Sequence, residues 1–345
     1  MKLKKLLMIL GILLFLFALV IVKKSVRERE AGKEDAGNEI AGEYELVREI
    51  PEAFLSKIVI YKGSDEKDKV ILSKNKDDMW VVENKFGAKA LKTAIDDLLK
   101  ELKGLKGEVR GDSKELFPDF QIEDERSVHL VLEGGEGNVL KHLAISFLTP
   151  SWNKNFIRSA DSPNIVLVNK NLLVKLNIFG KDDTLRSLPF VDMKLFAFDP
   201  QGIYGITLEP SGKDKIVLKK HEPESSGNYA WKFEPAAKGE EPNRDRADSF
   251  VRGISNIYFT DVMDPVLKIY GLDGPLFRLE LSDKDGKTAM HMDVGNYIDP
   301  EKSYYVKTSL SDNVFKVQEA YIAGIKEGRA SFLTAEPEPP KDTKK

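Results

Sequence analysis

The 345-residue sequence contains no cysteine. Disulfide bridges, thiolate nucleophiles, Cys-ligated zinc, iron–sulfur clusters and a lipid-modified cysteine anchor are therefore excluded together. Histidine is scarce, with four residues, too few to point to an active site by themselves. Neither charge sign dominates: 53 basic residues face 56 acidic ones, so no basic excess exists whose counterion release would drive binding to nucleic acid. Beyond residue 22 no long apolar run occurs, which excludes a polytopic membrane protein. The 41% apolar and 32% charged content excludes a wholly disordered chain. The G-x-S-x-G and H-E-x-x-H patterns are absent, and Gly134-Gly135-Glu136-Gly137 precedes neither a helix nor a Lys-Ser/Thr pair, so it is a turn and not a phosphate cradle.

What is present begins with an unbroken apolar run from Leu6 to Val22, bounded by Lys2, Lys4 and Lys5 on one side and Lys23-Lys24 on the other. As a helix it covers roughly 25 Å, the short end of a spanning segment whose flanking lysines snorkel to the headgroups. No pair of small residues follows it to mark signal-peptide cleavage, so residues 1–24 are expected to form a signal-anchor transmembrane helix in the bilayer. Its basic head places the body outside the cytoplasm. Residues 25–52, rich in charge and glycine and poor in large apolar side chains, are expected to form a flexible stalk, and residues 329–345 a disordered tail.

Between stalk and tail the same order of elements is written twice. Lys57-Ile58-Val59-Ile60-Tyr61, Val70-Ile71-Leu72 and the Trp80 strand find counterparts in Ile203–Leu208, Ile216-Val217-Leu218 and the Trp231 strand. A helical stripe follows in each: Leu91, Ile95, Leu98, Leu99 and Leu102, then Ala247, Val251, Ile254 and Tyr258 with Asn243 as cap. Alternating Val128, Leu130 and Leu132 answer Phe277, Leu279 and Leu281, and from Val139 onward the halves align without a gap against Thr288 onward. The expected class is α+β: an N-terminal transmembrane helix, then two duplicated units (53–180 and 201–328, joined by 181–200), each a mainly antiparallel sheet with one longer packed helix.

The second half carries Trp231, Ala247-Asp248, Tyr270-Gly271-Leu272-Asp273-Gly274-Pro275 and Asp293-Val294-Gly295-Asn296. With its tryptophan strand, Ala-Asp helix and Tyr-Gly-Leu-x-x-Pro turn, it resembles the family catalogued as domain of unknown function 4340. Gly271 suits a positive φ, and Pro275 suits the start of an edge-compatible strand. The resemblance extends over roughly Ser56 to Ile325 in two copies. The first half departs from the pattern, with Phe120-Gln121-Ile122 in place of Tyr-Gly-Leu and Ser146-Phe147 in place of Gly-Asn. The resemblance implies a membrane-anchored, extracytoplasmic companion of ABC-type transport systems in the bacterial cytoplasmic membrane, and it implies no catalytic residue.

Candidate chemistry is sparse. His142 and His291 occupy equivalent strand positions and are read as half-buried sheet residues. In Met290-His291-Met292 strand alternation puts both methionines on one face and the histidine on the other, which argues against a shared copper site. Asp96-Asp97, Asp182-Asp183 and Glu240-Glu241 are adjacent pairs that do not face one another, and Asp283-Lys284-Asp285-Gly286 is a hairpin turn, not a calcium loop. No catalytic, cofactor or metal residue is assigned. Trp152, Phe156, Tyr297, Tyr304 and Tyr305 form a candidate recognition surface of aromatics, although Tyr304 and Tyr305 must face opposite sides of a strand. The expected function is a non-enzymatic accessory that meets ABC-type permease subunits. The alternatives are a solute- or metal-binding protein with a site between the two repeats and, last, an envelope-polymer hydrolase.

Overall fold

Strand alternation and two helical stripes account for nearly all of the architecture. The computed structural model describes residues 43–63, 65–222, 229–236 and 240–333. The expected anchor 1–24, most of the expected stalk and the tail beyond residue 333 lie outside the described residues. Among the described residues, no helix is long and apolar enough to cross a membrane.

The chain is α+β, with two mainly antiparallel sheets and few helices. The first sheet contains β1 (Glu43–Val47), β2 (Leu55–Lys62), β3 (Asp65–Lys74), β4 (Trp80–Val82), β5 (Ala88–Lys89), β6 (Leu105–Gly111), β7 (Val128–Gly134), β8 (Val139–Ile145), β9 (Asn155–Ser159) and β10 (Ile165–Val168). Its strand order is β1-β6-β10-β9-β8-β7-β2-β3-β4-β5. The second contains β11 (Gly205–Pro210), β12 (Ile216–His221), β13 (Ala230–Phe233), β14 (Phe259–Met263), β15 (Phe277–Ser282), β16 (Thr288–Ile298), β17 (Ser303–Thr308) and β18 (Ser311–Gln318), in the order β13-β12-β11-β15-β16-β17-β18-β14. Among the described residues four α-helices accompany them: α1 (Lys92–Leu102), α2 (Leu172–Lys175), α3 (Arg244–Ser255) and α4 (Glu319–Glu327). The chain clusters into two compact units, one built on Leu98–Asp183 and the other on residues from Thr184 onward together with Asp68–Asp97.

The register of each sheet repeats in detail. Ile157 pairs with Val166 and Phe156 with Leu167 in the first, Val306 with Phe315 and Tyr305 with Lys316 in the second. Ala144 pairs with Arg158, as Asp293 does with Lys307, and Val131 with His142, as Glu280 does with His291. Every one of these positions moves by the shift that carries Val139 to Thr288. Because a slip of one residue would turn every side chain to the other face, the shared register preserves which residues enter the core.

Both longer helices bury one stripe. Ile95, Leu98 and Leu102 of α1 are fully buried, each stabilising the fold by about 2 kcal/mol relative to exposure. Ala247, Val251 and Ile254 do the same work for α3, which Asn243 caps by accepting the Arg246 N–H.

The structure corrects four expectations about the elements of the fold. Glu43–Val47, within the expected stalk, is strand β1: its Leu46 and Val47 are buried and it pairs with β6. Tyr258 lies outside α3 and is exposed, while neighbouring Ile257 is buried in its stead. Pro275 stands two residues ahead of β15, an inner strand between β11 and β16. Residues 329–333, expected in the disordered tail, are ordered: Phe332 is buried 5.0 Å from the Phe250 ring, and its carbonyl accepts the Asn243 N–H.

Candidate functional site

The best-built surface feature of the molecule is the connection from β14 to β15 in the second unit. It opens with Asp264, whose carboxylate accepts the Val266 N–H at 2.9 Å and closes a tight turn. The turn throws Val266, Leu267 and Ile269 outward, 80%, 48% and 63% exposed, and Leu276 follows at 40%. Single exposed aliphatics are ordinary on a protein surface, but four within eleven residues of one loop make a candidate contact surface.

The loop is held from beneath. Tyr270 turns inward, 2% exposed; its hydroxyl donates to the Asp264 carbonyl at 2.9 Å, and burial pushes its pKa up. Its ring lies 4.6 Å from that of Tyr305 on β17. Asn296 clamps the backbone twice: its N–H donates to the Tyr270 carbonyl at 2.7 Å and its side-chain amide to the Ile269 carbonyl at 2.9 Å. Two glycines make the clamp possible. A Cβ on Gly295 would sit 2.1 Å from the Tyr270 carbonyl oxygen, and Gly271 holds φ +69° with Asn296 pressed against it. Below the clamp, Arg278 on β15 forks onto Asp293 on β16 with bonds of 2.6 and 3.0 Å.

The neighbouring sequence signature is also structural. Trp231 on β13 is buried and donates its indole N–H to Asp248 of α3 at 2.9 Å, and Tyr229 donates to the other oxygen of the same carboxylate. Ala247 beside it is fully buried, so the Ala-Asp pair seats the helix on the tryptophan strand.

The aromatic residues proposed as a surface divide. Trp152 is 85% exposed in the first unit. Phe156 is a correction: it is buried with Phe117, Ile122, Ile165 and Leu167 because its strand position faces the core, so it cannot meet a partner. In the second unit Tyr304 is likewise buried, whereas Tyr305 is half-buried against Tyr270. Tyr297 is partly exposed, bonded to Glu319 at 3.0 Å, with its ring 4.8 Å from Tyr304.

His291 stands between buried Met290 and Met292 on β16, as alternation requires. His142 has a partner that sequence reasoning missed. The imidazoles of His129 on β7 and His142 on β8 meet at 2.9 Å, and Tyr61 stacks on His129 with centroids 4.6 Å apart. The His129 Nε2 lies 2.9 Å from the Asp124 carbonyl, which only accepts, so Nε2 carries the proton and Nδ1 accepts from His142. Burial lowers both pKa values, and for His142 the neighbouring His129 adds to the effect. Only alternation signalled His129, which takes the place that Arg278 holds in the second sheet. Among the described residues, no three His, Asp or Glu side chains are grouped to hold a metal ion.

A concavity of about 390 Å³ lies within the second unit, floored by Phe196, Phe259, Phe315 and Ala88 and rimmed by Met79 and Leu310. A Lys89–Asp192 ion pair of 2.8 Å stands at its edge. The connecting segment contributes to its wall, since Leu195 and Phe196 are buried and the Leu195 N–H donates to the Ile257 carbonyl.

Comparison with known proteins gives one positive result. Residues 80–266, more than half of the chain, match the model of the family described as Domain of unknown function (DUF4340), as a single span from Trp80 to Val266. No curated protein and no solved structure matches the chain.

Proposed function

Since the chain belongs to the DUF4340 family, whose description names no activity, we propose from its surface and sequence that it is a non-enzymatic accessory protein. It is anchored in the bacterial cytoplasmic membrane by residues 6–22, carries its body outside the cytoplasm, and binds permease subunits of an ABC-type transport complex. The body arose by duplication, a reading supported by the matching strand orders and registers of its two sheets.

The observation that carries the binding role is the clamped aliphatic loop. An apolar loop left free would collapse onto its own core. Here Tyr270, Asn296 and two glycines hold Val266, Leu267 and Ile269 in solvent. Holding a contact loop rigid in advance lowers the ordering cost of association. Membrane anchoring adds to this by raising the local concentration of body and permease, so a modest contact suffices.

The test is affinity purification of the full-length protein from its own membranes in mild detergent. ABC permease and ATPase subunits accompany the wild type and are lost from a Val266→Ser/Ile269→Ser variant. Recovery of the protein alone would overturn the accessory role. It would favour the second reading, a small apolar ligand in the concavity floored by Phe196, Phe259 and Phe315, which a titration of saturable heat then checks.

A further inference from the structure

The first unit carries a different exposed face. β9 begins at Asn155 and β10 ends at Val168, and these two residues are paired, so the segments before β9 and after β10 leave one end of the sheet side by side. They are tied together there. The Asn171 amide donates to the Trp152 carbonyl at 2.9 Å, and the Asn155 side chain accepts the Leu172 N–H at 2.8 Å. From this base four apolar side chains face solvent: Trp152 at 85% exposure, Phe179 at 69%, Val174 at 48% and Leu148 at 37%. The last three surround one shallow depression of about 390 Å³.

The two segments that build this face carry charge of one sign. Segments 147–154 and 170–181 contain Lys154, Lys170, Lys175 and Lys181 and not one Asp or Glu, in a chain whose acidic residues outnumber its basic ones. Lys170 is engaged with Glu101. Lys181 is exposed and Lys154 and Lys175 are half-buried, their stems lying along protein surface. The acidic pair Asp182-Asp183 follows at one edge of the face, Asp182 exposed and Asp183 accepting the Phe179 N–H at 2.7 Å.

We propose that this face docks on the surface of an anionic lipid bilayer, with Trp152 and Phe179 in the interfacial layer and the lysines among the headgroups. A large amphipathic ring on a loop tied down at its base, with lysines nearby, is the composition that the water–lipid boundary selects. Anionic headgroups complement Lys154 and Lys181, as an apolar protein groove would not. The proposal rests on the anchored reading above for bringing lipid within reach. Residues 23–42 separate the apolar run from β1, which belongs to the same unit as this face, and they span at most about 70 Å.

The experiment uses full-length protein, wild type and Trp152→Phe, with vesicles of phosphatidylcholine alone or mixed with phosphatidylglycerol, bearing brominated acyl chains. Trp231 is buried and Trp80 half-buried, so the difference between the two proteins isolates Trp152. In anionic vesicles the bromine quenches the Trp152 emission. That quenching is lost at about 0.5 M salt, where surface charge is screened over a few ångströms, and in a Lys154→Gln/Lys181→Gln variant. Equal quenching of wild type and Trp152→Phe in anionic vesicles, with the protein floating on them, overturns the docking. Flotation keeps the two readings apart. An anchored chain floats with neutral vesicles as well. Flotation with anionic vesicles alone overturns the anchor and leaves the docking standing, and no flotation with either overturns both.

Discussion

The loop between β14 and β15 and its counterpart between β6 and β7 start from the same geometry and end in opposite states. In both, an aromatic residue precedes a backbone in the left-handed region: Tyr270 before Gly271 at φ +69°, Phe120 before Gln121 at φ +49°. In both, that aromatic meets another from the corresponding strand, Tyr270 with Tyr305 at 4.6 Å and Phe120 with Phe156 at 4.8 Å. Its carbonyl is held in both, by the Asn296 N–H in one and by the Ser146 hydroxyl at 2.6 Å in the other. The residues further out differ. In the first unit Leu116 and Phe117 fold back onto a core cluster with Ile122 and Phe156, and the buried Arg158 guanidinium packs 4.6 Å from the Phe117 ring. Among the described residues of the second unit, none gives Val266, Leu267 and Ile269 such cover. One loop is closed by its own unit, and the aliphatics of the other are held in solvent by the same scaffold.

Substitutions at matched positions break or sharpen that contrast. The largest effect is expected at the aromatic pivot. Tyr270→Ala removes a buried ring and costs about 3–4 kcal/mol, whereas Phe120→Ala, at a half-buried ring, costs about half as much; thermal unfolding of the two proteins checks the ranking. Gly295→Ala forces a Cβ against the Tyr270 carbonyl and costs about 2–3 kcal/mol, and an unchanged melting temperature would mean that the clamp is loose. Next in size is the left-handed position. Gly271→Ala costs about 1–2 kcal/mol, while Gln121→Gly stays within about 0.5 kcal/mol of wild type, since relief of the left-handed strain is offset by the greater freedom of glycine in the unfolded chain. The outward aliphatics separate binding from stability. Val266→Ser/Ile269→Ser changes stability by no more than about 0.5 kcal/mol while abolishing co-purification of the permease.

The His129–His142 pair gives the smallest effect and is confined to the first sheet, where histidine stands in the place of Arg278. Both folded pKa values are depressed, so the unfolded chain binds more protons than the folded one once the pH falls below the ordinary histidine value of about 6.5. The stability they contribute is present above that pH and is lost as the pH falls through it toward the folded values. Melting temperatures therefore decline from pH 7.5 to 5.5, and His142→Gln makes the decline shallower. A slope that this variant leaves unchanged would remove the pair from the account.

Much of the scaffold was legible before any coordinates. The α1 and α3 stripes, the Asn243 cap, the Met290-His291-Met292 alternation and the ungapped alignment of the halves each follow from a period that one residue in two or in three to four must satisfy. The surface was far less legible. Phe156 and Trp152 read alike as aromatics near a hairpin, yet one is buried and the other is 85% exposed. The aliphatics at 266–269 resemble the Leu116-Phe117 pair, and nothing local says which pair will find cover. The pairing of His129 with His142 depends on β7–β8 register, and nothing in the sequence brings the Tyr229 and Trp231 donors to the carboxylate of Asp248.

The sequence by itself determined the strand and helix periods, the twofold order of elements and the glycines that permit close backbone approach, because these are properties of neighbouring residues. Only the tertiary structure decided which apolar side chains remain in solvent. Burial depends on what a distant strand places opposite, as the Phe117 and Ile122 cluster does for one loop and as nothing among the described residues does for Val266, Leu267 and Ile269.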